Sequence, residues 1–197
     1  MVQHSWTYQA MVHDIMKSDS NNVSFDGDEE TKHSFDLDDE RDWFWTENRG
    51  KQFAQVAEAV QASMDECKQA RKQFDQLRMR DNDEIGSVAG KTQGLREFAS
   101  TLPQLKEKEK TVNMHLKIAT KLLEHINRRS LNLFVPVEEA ITLGTDKREV
   151  AELLGKDGTE PEDKLRLLLL YLLTRDGISP NEVERLEQLV ATCPRAD

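Results

Sequence analysis

The chain has 197 residues, with 27 Lys and Arg against 37 Asp and Glu, a net charge of −10. That length supports one domain or two small ones with a real core. The acidic balance excludes a general binder of nucleic acid or of anionic membrane, because phosphate binding needs clustered Lys and Arg. Hydrophobic content of 37% beside charged content of 32% suits long helices with wide solvated faces better than a compact sheet. Two cysteines, Cys67 and Cys193, without a CxxC pair, argue against a disulfide framework or a zinc site and for a reducing cytosol. The first 20 residues lack the apolar core of a signal peptide. The longest apolar run, Leu167–Leu173, is too short to span a bilayer, so a soluble protein is expected.

Residues 5–16, "SWTYQAMVHDIM", read as a short helix with Tyr8, Met11, Val12, Ile15 and Met16 on one side. Val23–Phe25 and Ser34–Leu37 flank the acidic turn "DGDEE" as a small β-hairpin. Three aromatics then cluster at Trp43, Phe44 and Trp45. From Lys51 to about Met79 the pattern is helical: Phe53, Ala57, Val60, Met64, Cys67, Phe74 and Leu77 recur at threes and fours, with Arg71 as the polar exception. At 1.5 Å per residue this helix is on the order of 40 Å long. Arg80–Gly94, with three glycines, reads as a polar loop: a connector, or a lid able to fold over a neighbouring surface.

Thr101 looks like an N-cap with Pro103 in the first turn of a second long helix. Its heptad positions read Leu102, Leu105, Glu109, Val112, Leu116, Ala119, Leu123 and Ile126, and Phe98 extends them backwards. Two such helices joined by a loop pair as an antiparallel hairpin. The stretch around Ala119–Ile126 is expected in the core. Towards the tip, Phe74, Leu77, Met79, Phe98, Leu102 and Leu105 form a candidate docking platform for a further amphipathic helix. The last third reads as shorter helices, with capping boxes at Thr159–Glu162 and Ser179–Glu182. Leu165–Leu173 is apolar nearly all round, which predicts a helix surrounded by others. The architecture expected is mainly α, a long hairpin protruding from a helical cluster, with a minor β-hairpin near the N-terminus: one module, hairpin 51–131 and cluster 132–197.

Catalytic signatures are missing. The histidines at 4, 13, 33, 115 and 125 are scattered, and no HExxH, GxSxG, P-loop or GxGxxG occurs. His115 and His125 lie ten apart, off metal-ligand spacing, and read as packing or surface residues. "DLDDERD" lacks the glycine and terminal glutamate of an EF-hand loop. Cys67 sits on an apolar position and reads as a buried structural thiol. A non-enzyme without metal or cofactor is expected, with a hairpin-mediated four-helix homodimer as the alternative to a docking platform.

Four stretches in order, "HSWTYQAMVHDIM", "FDLDDERDWFWTENRGKQFAQVAEAV", "LPQLKEKEKTVNMHLKIATKLLEHI" and "GTEPEDKLRLLLLYLL", resemble the third domain of SM proteins, the Sec/Munc-type chaperones of SNARE-mediated vesicle fusion. "HSWTYQA", "VAEAV" and "HLKIATKLLEHI" are most similar to the Sly branch, which serves ER–Golgi traffic. The resemblance implies a third domain excised from a protein several times longer, with Met1 added at the cut. It implies a hairpin that holds R-SNARE and Qa-SNARE helices in register. Leu116 matches a leucine that contacts the R-SNARE, and Pro103 the proline at which the second hairpin helix bends or straightens. Arg80–Gly94 matches the lid of the branch, although Ile85, Val88 and Leu95 form only a sparse stripe interrupted by Gly86, Gly90 and Gly94. A monomer touching ER and Golgi membranes through its SNAREs is implied, and no nucleic acid.

Overall fold

A computed structural model describes residues 3–18, 21–27, 32–38, 40–83, 88–144 and 147–191, with side chains outside the description for 77–99 and for 147. The fold is mainly α with one small β-hairpin. In chain order the elements are α1 (Tyr8–Ile15), β1 (Asn22–Asp26), β2 (Lys32–Asp36), α2 (Trp43–Asn48), α3 (Phe53–Asp83), α4 (Val88–Arg129), α5 (Leu131–Thr142), α6 (Lys147–Leu154), α7 (Pro161–Thr174) and α8 (Pro180–Ala191). They form two compact units, Trp6–Lys121 and Leu122–Asp197 with Met1–Ser5.

In the first unit, α1 buries Tyr8, Met11, Val12 and Ile15, the face its spacing predicts. β1 and β2 pair antiparallel in the register Val23↔Phe35 and Phe25↔His33. One face of this hairpin carries Phe25, His33 and Phe35, whose rings lie 5.6 to 5.8 Å apart. The other face carries Asn22, Ser24 and Ser34, joined by hydrogen bonds. α2 starts where the Asp42 carboxylate accepts the Trp45 N–H at 2.9 Å, an N-cap that satisfies an otherwise orphaned donor. This turn buries Phe44 and Trp45 against α1, with the Tyr8 and Trp45 rings 5.4 Å apart, edge to face.

The expected loop at 80–94 is corrected: α3 runs on to Asp83 and α4 begins at Val88, so only 84–87 lie outside the described residues. Gly90 and Gly94 each cost about 1 kcal/mol relative to Ala in a helix, a penalty that a ladder of 42 residues absorbs. Thr101 is therefore an interior residue and not an N-cap. The helix also passes through Pro103 without ending, although proline removes one donor and crowds the carbonyl of Ala99.

In the second unit the core joins Phe134 and Ile141 of α5, Val150 and Leu154 of α6, Leu167, Leu168 and Tyr171 of α7 and Leu186 of α8. Ser130, at φ 54°, separates α4 from α5 by a left-handed residue of the kind that ends helices. Pro161 opens α7, but the expected Thr159 capping box does not form. The Thr159 hydroxyl donates instead to the Lys156 carbonyl at 3.0 Å, and Glu160 stands at the N-cap. At α8 the expected box forms in part: the Glu182 N–H donates to Ser179 Oγ at 3.3 Å. α7 is also not surrounded. Leu165, Leu169 and Leu173, at four-residue spacing on one face, are 49%, 44% and 72% exposed, while Leu167, Leu168 and Tyr171 are buried.

The "PEDK" stretch is explained by burial. Asp163 and Lys164 are both inaccessible to solvent. Lys164 Nζ donates to the Lys156 carbonyl at 2.6 Å. Asp163 accepts from Arg129 Nε at 2.9 Å and again from Arg129 Nη2, and its Oδ1 is 3.1 Å from His4 Nε2. His4 Nδ1 lies 2.6 Å from Glu138 Oε1, whose other oxygen accepts the His4 backbone N–H at 2.8 Å. Two buried carboxylates thus face one guanidinium and one imidazole. Burial works against the charged ring, but the hydrogen bonds to Asp163 and Glu138 outweigh it and lift the His4 pKa to about 8. Burial alone would also raise the Asp163 carboxyl, yet its hydrogen bonds from His4 and Arg129 hold it below the usual range. This cluster pins the segment before α1 to α5, α7 and the end of α4.

Candidate functional site

The candidate site is the outer surface of α4 with α3 beside it. Its geometry depends on which face of α4 is buried. Val112, His115, Ala119, Leu122 and Ile126 are buried, a three-four-three-four spacing. This differs from the expected stripe, in which Leu116 and Leu123 stand in place of His115 and Leu122. The reason is His115, a polar residue at a core position, which hides the register from a reading of apolar residues alone.

His115 is fully buried and satisfied on both ring nitrogens. Nε2 lies 2.8 Å from Asp42 Oδ2 and 3.0 Å from Oδ1, and Nδ1 lies 2.9 Å from the Tyr8 hydroxyl. A ring with hydrogen on Nε2 donates to the carboxylate and accepts from the phenol. Phe44 packs on the ring at 4.6 Å between centroids. Burial, with Asp42 nearby, pushes the Tyr8 hydroxyl pKa up, so it stays a donor. Asp42, which also caps α2, thereby ties α1, α2 and α4 together and fixes the rotation of α4 about its own axis.

That rotation sets the exposure of the next residue. Leu116, about 100° further round the helix, is 39% exposed. Leu102 and Leu105, about four and three turns towards Pro103, are half-buried, as is Phe74 of α3, and Pro103 is exposed. The side chains of Leu77, Met79 and Phe98 lie outside the described residues. Leu102, Leu105 and Leu116 lie on one helix, the first two half-buried and the third exposed. Ala119, Leu122 and Ile126 are buried as the core half of the stretch, but Leu123 is 50% exposed.

Charged residues close the seam between α3 and α4. Lys108 Nζ meets Glu66 Oε2 at 2.7 Å and lies 5.7 Å from the centre of the Trp43 ring. The bond to Glu66 raises the Lys108 pKa and keeps it cationic. Cys67 is buried on α3 and its thiol pKa is pushed up by that burial, which makes it a structural group and a poor nucleophile. Among the described residues no three His, Cys, Asp or Glu side chains are placed to hold a metal ion, and no helix is long and apolar enough to cross a membrane.

α4 thus presents Leu116, exposed, beside a buried polar clamp. Residues 1–193 match the Sec1 family, and the chain belongs to that family. Within it the chain is similar to proteins of the Sly branch. It is 34% identical over 192 residues to SEC1 family transport protein SLY1 of Oryza sativa subsp. japonica, covering 94% of this chain and 30% of that protein. It is 31% identical over 194 residues to protein sly1 of Schizosaccharomyces pombe, covering 95% and 30%. Sec1 family domain-containing protein 1 of Homo sapiens is 31% identical over 208 residues, with 95% and 32% covered. The chain thus spans about a third of the length of these relatives. The fold is that of the SM protein Vps45 in a complex with the Qa SNARE Tlg2: TM-score 0.72 at 19% identity, covering 97% of this chain and 34% of that one.

Proposed function

We propose that this chain is the SNARE-binding module of a vesicle-fusion chaperone of ER–Golgi traffic. It receives an R-SNARE helix on the Leu116 flank of α4 and holds a Qa-SNARE helix beside it, so that the two begin to zipper in register. The observation that carries this is Leu116 itself, a large apolar side chain left open beside a buried clamp that fixes its helix. Leu105 and Leu102 continue the flank towards Pro103, and Phe74 supports it from α3. Family membership and the Vps45–Tlg2 complex support SNAREs as the partners. The task is binding, not catalysis, and is done by a monomer that meets ER and Golgi membranes only through its SNAREs.

Pro103 acts as the hinge. With the helix continuous through it, the flank from Leu102 to Leu116 lies on one rod. A bend there would break the rod in two, at modest cost because proline already lacks one hydrogen bond. Control by segment 80–94 as an autoinhibitory lid would require the helical ends at Asp83 and Val88 to unwind, since most of that segment is helix.

The test is calorimetric titration of the chain with purified ER–Golgi R-SNARE and Qa-SNARE cytosolic segments, beside Leu116→Glu. The reading expects binding by the parent chain and at least a tenfold loss in the variant. A parent chain that binds neither segment overturns it.

A further inference from the structure

The side of α4 turned away from Leu116 carries a second surface. A groove of about 710 Å³ runs between the β-hairpin and α4, with Phe35 on one wall and Met114 on the other. Phe35 ends the aromatic row of the hairpin, stacked on His33 at 5.7 Å. Both Phe35 and Met114 are half-buried. Around the helix axis, Met114 lies about 160° from Leu116, so the two surfaces are separate.

Lys106, Lys110 and Lys117 line this groove and are all exposed. Spaced four and seven apart, they fall within about 40° of one another and span roughly 16 Å of helix. Among the described residues none of the three has a hydrogen-bond or ion-pair partner. The other charged groups of the groove are mostly engaged: Asp42 with His115, Glu109 with Arg71, and Arg41 with Asp38 at 3.4 Å. Asp36 and Glu107 remain against the three lysines. On a chain of net charge −10, an unpaired row of cations beside half-buried apolar walls is a local reversal of sign.

We propose that this groove docks an acidic amphipathic helix, whose carboxylates pair with Lys106, Lys110 and Lys117 while one bulky apolar side chain enters between Phe35 and Met114. At about 710 Å³ the groove has the size of a small-ligand pocket, so it receives side chains of a docked helix and not the helix itself. The lysine spacing matches carboxylates repeating along one face of a helix, whereas a strand presents its side chains at every second residue. The proposal does not depend on SNARE binding at Leu116.

The experiment is fluorescence anisotropy of a labelled synthetic amphipathic helix of roughly 18 residues, Glu along one edge and Leu and Phe along the other, titrated with the 197-residue chain. Expected are binding that weakens with added salt, at least a tenfold loss in the triple variant Lys106→Glu, Lys110→Glu, Lys117→Glu, and little change in Leu116→Glu. The same peptide with Gln for Glu should bind at least tenfold more weakly. The proposal is overturned if the parent chain does not bind the peptide or if the triple variant binds as the parent does. It is also overturned if Leu116→Glu abolishes binding, or if the parent prefers phosphatidylserine vesicles to the peptide. Loss of SNARE binding in Leu116→Glu with peptide binding intact would separate this surface from the proposed function.

Discussion

Arg71 of α3 reaches Glu109 of α4, Nη1 to Oε1 at 3.5 Å. These are the polar exceptions in the two apolar stripes of the hairpin, and they meet each other. With Lys108–Glu66, adjacent on α4 and five residues away on α3, they line the seam between the two helices. Both pairs are largely exposed, so their worth lies in register more than in stability.

A double-mutant cycle with Arg71→Ala and Glu109→Ala should accordingly give a coupling of about 0.2–1 kcal/mol by denaturant melts, shrinking in high salt. A coupling several times larger would mean that the pair is buried in solution.

The clamp beneath Leu116 should matter far more. His115→Leu leaves the Asp42 carboxylate buried without its ring donor and should cost about 3 kcal/mol. Tyr8→Phe removes only a neutral hydroxyl and should cost about 1 kcal/mol. Equal costs in thermal or denaturant unfolding would contradict a buried Asp42 carboxylate that depends on the ring N–H.

pH separates the second cluster. His4 has a folded pKa of about 8 against an ordinary value of 6.5. A raised pKa stabilises the fold fully below about 6.5, and this contribution fades as pH rises through 8; the difference corresponds to about 2 kcal/mol. Asp163, held low, adds stability that is lost at acid pH. Melting temperature should therefore fall between about pH 6.5 and 9, and His4→Gln should flatten that alkaline limb. A limb unchanged in the variant would show that another group titrates.

The hinge has its own signature. Pro103→Ala restores a backbone donor inside α4, raises helix stability by up to about 3 kcal/mol, and should tighten R-SNARE binding by favouring the straight rod. Unchanged affinity would remove the hinge from the account.

Much of this was legible from spacing. α1, the β-hairpin and α3 follow local periodicity and turn chemistry and form within a few residues of their expected bounds, and the last third is built of shorter helices as expected. What was hidden depends on distant partners. His115 looks like a surface residue until Asp42 and Tyr8, 73 and 107 positions away, are brought to it. His4 lies 134 and 159 positions from Glu138 and Asp163, beyond any local pattern. The loop expectation at 80–94 gave glycine more weight than a long helix does. The spacing of Thr159 to Glu162 predicts a cap, but the Thr159 hydroxyl donates to the Lys156 carbonyl. The row of lysines at 106, 110 and 117 is invisible in a net charge of −10.

The measurement that tests the central claim most directly is amide hydrogen exchange along α4 with and without saturating R-SNARE segment. The account predicts added protection from about Leu102 to Thr120, centred on Leu116, that disappears in Leu116→Glu. Protection confined to α5–α8, with α4 unchanged, would contradict it.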